Sequence, residues 1–312
     1  MYERPTQEGI VVEGMKIGRA RERKAESGKG STALELLAQH GPVEVTRYRI
    51  AAGKHFYLDA QDEWAGFEFI YVLEGRLVLT DGEEQTHLSA GDYFYHTGLP
   101  KRAYFQVEED ADLLTVSSPP SYHLIRKEIQ SLMALARSVE EKDPATEGHC
   151  KRLERLAVAT GERLGLSGQR LIDLSYAAYL HDVGKVKVPD RILNKAEPLT
   201  EAEWVEMHRH PEYGEEMLSE KEFLRAAARI VRAHHERYDG RGYPDGLKGD
   251  EIPLEARIIA VVDTYDAITS ERPYQPALAK KEALDELRRG AGTQFDERVV
   301  KAFIGLIRNA DE

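Results

Sequence analysis

The hydrophobic pattern of this chain changes its period at Ser117-Ser118-Pro119-Pro120, and that change limits the folds open to it. Before this point, short segments such as Val43–Ile50 alternate between apolar and polar residues. After it, apolar residues recur at helical spacing, as in Leu254–Thr269. Short alternating strands favour a β-barrel or sandwich, and 312 residues are enough for two domains. The sequence therefore predicts a multidomain chain in which an all-β barrel is followed by an all-α domain, joined by a long helix.

Turn residues and apolar spacing also predict the individual elements. The predicted strands are Val43–Ile50 and residues 67–72, 76–80, 93–95, 103–107 and 113–116. Glu74-Gly75 is expected to be a turn between two of them, and the first forty residues an arm or a peripheral strand. The predicted helices are residues 151–164, Gln169–Leu180, 200–207, 221–232, Leu254–Thr269, 280–289 and 297–308. Thr200 and Glu203 predict a capping box.

The expected domains are residues 1–118, a joining helix at 119–140, and residues 141–312. Within the joining segment, apolar residues step by four and three at Ile125, Ile129, Leu132, Ala136 and Val139. This spacing is typical of an amphipathic helix packed on its own domain, and equally of a dimer helix that relays signals between domains. Both alternatives stay open at the level of the sequence.

The acidic balance of the chain restricts its partners. With 43 basic and 55 acidic residues the formal net charge is −12, which argues against binding a nucleic-acid polymer. The single cysteine, Cys150, fits a reducing compartment. No apolar run approaches the roughly 18–20 residues needed to cross a bilayer, and the first thirty residues lack a signal-type apolar segment. The expectation is a cytoplasmic protein without membrane contact.

Histidines and aspartates in the second half have the composition of a metal site, since imidazole and carboxylate suit borderline divalent ions. Asp263 follows the apolar run 258–262, and a carboxylate in such a helix needs a cation or a metal beside it. Asp266, one turn later, is expected to support a ligand, and Gly184 to end a helix. His208 is expected to lie on the surface. The candidate ligands are His149, His181, Asp182, His210, His234, His235 and Asp263.

The sequence His-Asp-Val-Gly-Lys at 181–185, followed by His-His-Glu-Arg-Tyr-Asp-Gly-Arg-Gly-Tyr-Pro at 234–244, resembles the HD-GYP branch of the HD-domain phosphohydrolases. Matching residues at 188–193 and 263–274 extend the resemblance. It implies an all-α domain that hydrolyses cyclic dinucleotides, chiefly cyclic di-GMP, with two or three bound ions. Iron or manganese are implied by the family, and nickel or zinc also suit these ligands.

Carried over to this chain, the resemblance assigns the first ion to His149, His181, Asp182 and Asp263. The second ion falls to His210, His234 and His235, with Asp182 bridging. Family members with a third ion use a glutamate where this chain has Ala145, so two divalent ions are expected. Asp182 and Lys185 are the expected catalytic residues: a shared hydroxide attacks phosphorus while the ions and Lys185 stabilise the phosphoryl oxygens.

The resemblance also suggests substrate contacts at Asp143, Lys185, Gly242, Tyr243 and Arg272. Alternatives for three of them are a helix N-cap for Asp143, a core position for Tyr243 and a surface ion pair for Arg272. Gln275 stands where the family usually has Arg or Lys, which is expected to weaken dinucleotide binding or change its specificity.

Residues 67–75 and 88–93 resemble a cupin, with Glu68 and Gly75 at the spacing of its first motif. The usual metal-binding histidines are replaced by Asp62 and Trp64, and by Lys101 or Arg102, although His55, His87 and His96 lie nearby in sequence. A metal-free cupin is expected to sense a small molecule or to mediate dimerisation. Its aromatic residues either enclose that ligand or simply fill the barrel: Trp64, Phe67, Tyr71, Tyr95 and Tyr104.

The leading expectation is thus a two-metal phosphodiesterase that cleaves a cyclic dinucleotide and forms a homodimer. One alternative is another phosphohydrolase activity, on cyclic GMP-AMP or a linear nucleotide. The other is a non-catalytic adaptor that uses the Gly-Tyr-Pro loop to bind a cyclic dinucleotide or a diguanylate cyclase.

Overall fold

Two compact units make up the chain, Met1–Lys127 and Glu128–Glu312. The computed structural model describes residues 33–59, 66–81, 84–122, 130–132, 134–135, 138, 148–195, 197–270 and 277–309. The predicted joining helix falls largely outside these ranges, although residues 130–132, 134–135 and 138 are helical. Within the described ranges, no helix combines the length and the apolar character that crossing a membrane requires.

The first unit is an antiparallel β-structure, as predicted. Its described residues form seven strands in the order β1-β2-β7-β4-β5, with β3 paired to β7 and β6 paired to β4. The strands are β1 Ala33–His40, β2 Val43–Ile50, β3 His55–Leu58, β4 Phe67–Asp81, β5 Glu84–Ser89, β6 Tyr93–His96 and β7 Ala103–Ser118. Strand β1 lies at the edge of the sheet, so part of the first forty residues is a peripheral strand.

The predicted turn at Glu74-Gly75 and the predicted division of residues 103–116 into two strands are wrong, because β4 and β7 are each continuous. Glu74-Gly75 lies inside β4, where the register to β7 shifts between Val72 and Leu77. Gly75 has φ 90°, and a Cβ there would lie 2.3 Å from the carbonyl oxygen of Asp110. The glycine therefore permits a bulge in which the two backbones lie close together. Bulges and turns both favour glycine, so the residue type alone does not distinguish them.

Alternation along the strands decides which side chains reach the core of this unit. Inward positions on β2, β4 and β7 build the apolar cluster of Ile50, Ile70, Val72, Leu77, Val107, Ala111 and Leu113. The prediction that Phe67 and Tyr95 line or fill the core is wrong, since they are 42% and 64% exposed. Trp64 lies outside the described residues.

The second unit is helical, as predicted. Its described helices are α1 His149–Arg163, α2 Gln169–Leu180, α3 Asp190–Leu193, α4 Glu201–Met207, α5 His210–Ser219, α6 Arg225–Arg232, α7 Leu254–Thr269, α8 Lys280–Gly290 and α9 Glu297–Asn309. Short 3-10 turns occur at Val183–Lys187, Glu222–Leu224 and Gly249–Glu251. The Thr200–Glu203 capping box is present, while α3 and α5 were not predicted.

Helix α7 has no exposed residue, because apolar residues cover most of its circumference. Ile258, Ile259, Val261 and Val262 are fully enclosed. Helices α1, α2 and α9 pack around the same core through residues such as Leu153, Leu174 and Phe303. A rigid central helix fixes the position of polar groups that project from it, Asp263 and Asp266 among them.

Candidate metal centre

The ends of four helices, together with the centre of α7, bring the seven predicted ligands together. His149 begins α1, and His181-Asp182 follows the last residue of α2. His210 begins α5, and His234-His235 follows α6. Helix ends suit this role because the chain direction changes there, so adjacent residues can point into one space. The side chains form two groups of closely spaced ligand atoms: Asp182, His210, His234 and His235, and His149, His181 and Asp263.

Hydrogen bonds fix the orientation of four imidazole rings. The Nδ1 atoms of His181, His210 and His234 donate to the carbonyl oxygens of Ala178, Met207 and Val231 at 2.9, 2.9 and 2.5 Å. His149 Nδ1 instead donates to Asp266 Oδ2 at 2.7 Å. When such a ring is neutral its proton is on Nδ1 and its Nε2 carries a lone pair, which is the tautomer that a metal ion requires.

These Nε2 lone pairs face one another across short gaps. His149 Nε2 lies 3.5 Å from His181 Nε2, and His210 Nε2 lies 3.4 Å from His234 Nε2. Two lone pairs cannot hydrogen-bond to each other, so either a proton on one Nε2 or a metal ion between the two nitrogens relieves the repulsion in each pair. Asp263 Oδ1 adds a carboxylate 3.4 Å from His149 Nε2. The donor set therefore fits divalent ions, and residues in both groups could hold one.

Asp182 lies between the two groups. Its Oδ2 is 3.3 Å from His181 Nε2 in one group, and its Oδ1 is 3.4 Å from His210 Nε2 in the other. Lys185 Nζ donates to the same Oδ2 at 2.7 Å. Burial opposes ionisation, but Lys185 and His181 hold the pKa of Asp182 well below its usual range. A shared, ionised carboxylate is the geometry expected of a ligand that bridges two ions.

The histidines respond to burial in two ways. Burial, together with repulsion from neighbouring imidazoles, lowers the pKa values of His234 and His235 well below the usual range, so both stay neutral. For His181 burial acts in the same direction, but Asp182 and Asp263 outweigh it and raise the pKa to about 9. A proton on His181 thus supplies positive charge where an ion fits, and binding an ion must displace it.

Asp266 supports His149, as the sequence predicted. Besides accepting from His149, its carboxylate accepts from Arg152 Nε at 2.8 Å and from Arg152 Nη2 at 2.9 Å. Arg152 was missed by the sequence reasoning. Its signal is the spacing of three residues after His149, which puts both side chains on the same face of α1.

Gly184 does not end a helix in the left-handed conformation, so that prediction is wrong. The residue lies within the 3-10 turn Val183–Lys187, and helix α5 crosses its Cα. A Cβ at Gly184 would lie 1.9 Å from the carbonyl oxygen of His210 and 2.5 Å from the amide nitrogen of Gly214. Glycine is required for this close contact, which brings His210 up to Asp182.

The loop after His235 is anchored by Glu236, which the sequence reasoning also missed. Glu236 Oε1 accepts from the backbone of Asp245 at 2.7 Å and of Gly246 at 3.0 Å. A Cβ at Gly242 would lie 2.3 Å from the amide nitrogen of Arg237. Gly242 therefore has a packing reason to be glycine, and its predicted contact with substrate stays a prediction.

Tyr243 lies against two imidazole rings. Its ring centroid is 4.9 Å from that of His235 and 4.0 Å from that of His208, whose plane is tilted by only 20°. His208 is half-buried against Tyr243, so it is less exposed than the predicted surface residue, and it is not in either group of ligand atoms. His208 follows the last residue of α4 and His210 begins α5, so the chain turns between them and both rings reach the loop.

Four other residues in the predictions, Asp143, Ala145, Arg272 and Gln275, lie outside the described residues.

The described part of the first unit holds no comparable group of metal-binding side chains. His96 Nε2 pairs with Glu68 Oε2 at 3.0 Å, and His87 Nδ1 lies 3.7 Å from Glu108 Oε2. His55 pairs along the sheet with Gln106 and is half-buried. Among the described residues, these three histidines do not form one close group of ligand atoms.

Comparison with known proteins gives two domain matches and several relatives. An HD-domain model matches residues 133–299, and a cupin-domain model matches residues 46–116. A "Probable cyclic di-GMP phosphodiesterase" of Vibrio cholerae is 31% identical over 326 residues, which is 90% of this chain and 71% of the relative. The "Cyclic di-GMP phosphodiesterase response regulator RpfG" of Xanthomonas campestris is 45% identical over 180 residues, 57% of this chain and 48% of the relative.

A third relative, "3'3'-cGAMP-specific phosphodiesterase 2" of Vibrio cholerae, is 36% identical over 172 residues, covering 54% of this chain and 33% of the relative. The chain thus spans half or less of the length of two of these three proteins. The HD-domain match covers more than half of the chain, and the first relative is matched over most of its length. The chain belongs to the HD-domain family, in its HD-GYP branch of phosphodiesterases, with a cupin domain ahead of the HD domain.

Proposed function

We propose that the helical unit hydrolyses a cyclic dinucleotide in a metal-dependent reaction, with cyclic di-GMP as the first candidate substrate. The observation that carries this proposal is the position of Asp182 between two groups of inward-facing ligands. The names of two relatives, both cyclic di-GMP phosphodiesterases, support the choice of substrate.

The residues of each group would hold one divalent ion. His149, His181 and Asp263 would hold the first, and His210, His234 and His235 the second, with Asp182 shared. Iron or manganese fits this set, as nickel and zinc also do. When bound, such ions supply a water of lowered pKa and positive charge for the phosphate.

Lys185 is proposed as the residue of this chain that stabilises negative charge on the phosphoryl oxygens. Its side chain is one-fifth exposed and its Nζ lies against Asp182, so a phosphate at the two ion positions would be within its reach. The ammonium group carries its charge before the reaction begins, which is the arrangement that stabilises a transition state without reorganisation. Tyr243 borders the same space through His210 and His235. The family resemblance adds Asp143, Gly242 and Arg272 as proposed contacts.

The test is hydrolysis of cyclic di-GMP by the full chain, purified without oxygen and loaded with manganese or iron. Chromatography of the products is expected to show linear dinucleotide or mononucleotide. Asp182→Ala should abolish turnover, whereas Asp296→Asn, which changes a buried aspartate elsewhere in the unit, should retain it. If the loaded chain binds cyclic di-GMP but does not cleave it over hours, the protein is a non-catalytic adaptor and not an enzyme. Such an adaptor could also bind a diguanylate cyclase.

Cyclic GMP-AMP is the second candidate, for two reasons. A relative with 36% identity is named as specific for 3'3'-cGAMP. Gln275 also removes a cation that the resemblance leads one to expect near the substrate. Measuring kcat/KM for both dinucleotides on the same preparation decides between them, and Gln275→Arg should shift the ratio towards cyclic di-GMP if the missing cation is responsible.

A further inference from the structure

A row of polar side chains crosses the core face of the cupin domain. Glu44 on β2 pairs in register with Ser117 on β7, which pairs with Glu68 on β4, which pairs with His96 on β6. All four are buried or nearly so: Glu44 is 1% and Ser117 2% exposed, and the side chains of Glu68 and His96 are 17% and 12% exposed. Four neighbouring strands thus place two carboxylates side by side on the sheet face that also carries the apolar cluster.

The two oxygens of the Glu44 carboxylate have different environments. Oε1 accepts from the backbone N–H of Ser121 at 2.6 Å and of Tyr122 at 2.8 Å, and from Ser117 Oγ at 3.2 Å. Oε2 is buried and has no hydrogen-bond partner among the described residues. A buried carboxylate oxygen without a donor costs on the order of 1–3 kcal/mol or more, so its environment is incomplete without a further group.

The two carboxylates of the row also lack a lysine or arginine partner among the described residues. The partners of its two carboxylates within the described ranges are backbone N–H groups, hydroxyls and the His96 imidazole, with no lysine or arginine among them. Burial and the nearby Glu44 raise the pKa of Glu68, although His96 opposes the shift. Both carboxylates also act with burial to raise the pKa of Tyr48, whose hydroxyl stays protonated. The layer is therefore poor in positive charge.

From this geometry we propose that the row binds a small organic cation with several N–H donors, such as a guanidinium or primary ammonium group, against Glu44 Oε2 and Glu68. A bare metal ion fits less well, because the described ligand atoms of Glu44, Glu68 and His96 do not form one of the close groups found in the helical unit. A planar donor group reaches separated acceptors and pairs with carboxylates through two N–H bonds.

Glu44 also connects this site to the chain that leads towards the second unit. The same carboxylate accepts from Ser121 and from Tyr122, where helical structure begins. A cation on Oε2 holds the carboxylate in one rotamer, which stabilises the two backbone hydrogen bonds to Oε1. Binding of a cation to the row thereby strengthens the backbone hydrogen bonds of Ser121 and Tyr122. This effect does not depend on any phosphodiesterase activity.

The test uses guanidinium at low millimolar concentration as the probe, and tetramethylammonium, which has no N–H donor, as its control. Hydrogen exchange of the full chain, followed by mass spectrometry, reports protection of the peptide that contains Ser121 and Tyr122. Guanidinium is expected to raise this protection saturably, and tetramethylammonium to leave it unchanged. Calorimetric titration measures the affinity of the probe.

Glu44→Gln and Glu68→Gln each remove one carboxylate while keeping its shape, and should weaken guanidinium binding at least about tenfold. Glu84→Gln changes an exposed carboxylate of β5 and should bind like the unmodified chain. Equal exchange with both cations, unchanged affinity in both row variants, or no saturable binding would each overturn the proposal. In the last case a buried water on Oε2 is the better explanation. None of these readouts depends on turnover.

Discussion

Replacement of Asp266 by asparagine tests whether the protein scaffold, and not the ligands alone, sets metal affinity. The Asp266 carboxylate accepts four hydrogen bonds, one from His149 Nδ1, two from Arg152 and a longer one from Ser270 Oγ at 3.4 Å. An asparagine side chain has one acceptor oxygen and one NH₂ group, so at least one of these donors would face another donor. Either His149 loses its fixed orientation or Arg152 loses its hold on the side chain.

The expected loss concerns the ion held by His149, His181 and Asp263. Removing the partner that orients a ligand histidine typically weakens metal binding about 10- to 100-fold, or about 1.4–2.7 kcal/mol. The other group, which contains His210 and His234, keeps its own backbone hydrogen bonds and should change little. Asp266→Asn should therefore lose one ion well before the other.

The assay is metal analysis of the full chain after dialysis against a series of buffered free-manganese concentrations. Asp296→Asn is the matched control, because Asp296 is 2% exposed and also pairs with arginine, Arg257 at 2.7 Å. It should cost stability without changing metal binding. Two ions bound with unchanged affinities in Asp266→Asn, or an equal loss from both variants, would refute this reasoning.

Three further predictions follow from single contacts. Gly184→Ala should lower the free energy of unfolding in urea by about 1–3 kcal/mol, because its Cβ would overlap the carbonyl oxygen of His210; unchanged stability would contradict the close packing. Lys185→Met should lower kcat about 10²- to 10³-fold at constant metal content, and loss of metal instead would make the lysine structural. Although burial opposes it, Arg298 and Arg257 lower the pKa of Asp296. Its stabilisation is therefore present above about pH 4 and lost as pH falls through the lowered pKa, so Asp296→Asn should flatten the acid limb of a denaturation curve.

The fold class could be read from the sequence because periodicity reports directly on burial. Helices such as Gln169–Leu180 and Leu254–Thr269 have the boundaries that their apolar spacing predicts. The division of β4 was wrong because a glycine such as Gly75 occurs both in turns and in bulges, and only the contact with Asp110 distinguishes them.

For the candidate site too, some features could be predicted from the sequence and others could not. Residue types and motif order identified the seven side chains that the structure brings together. Their supporting contacts were harder to predict, because Arg152 and Glu236 act through tertiary hydrogen bonds. The spacing of Arg152 from His149 places both on one helix face but does not identify Asp266 as the shared partner. The contact of His208 with Tyr243 was not expected because a spacing rule that holds within a helix was applied across a turn.

Glu44 carried no sequence signal at all. It is one of the polar residues in an alternating strand, and only the register with Ser117 and the helix start at Tyr122 make its burial evident. Functional groups of this kind become visible only when each buried polar atom is matched with its partner.

The most direct test of the central claim, that Asp182 joins two ion sites into one centre, is electron paramagnetic resonance of the manganese-loaded chain. The spectrum is expected to show exchange-coupled manganese at two ions per chain, corresponding to the two ligand groups. In Asp182→Ala the coupling should disappear. Spectra of isolated, uncoupled ions in the fully loaded unmodified chain would contradict the account.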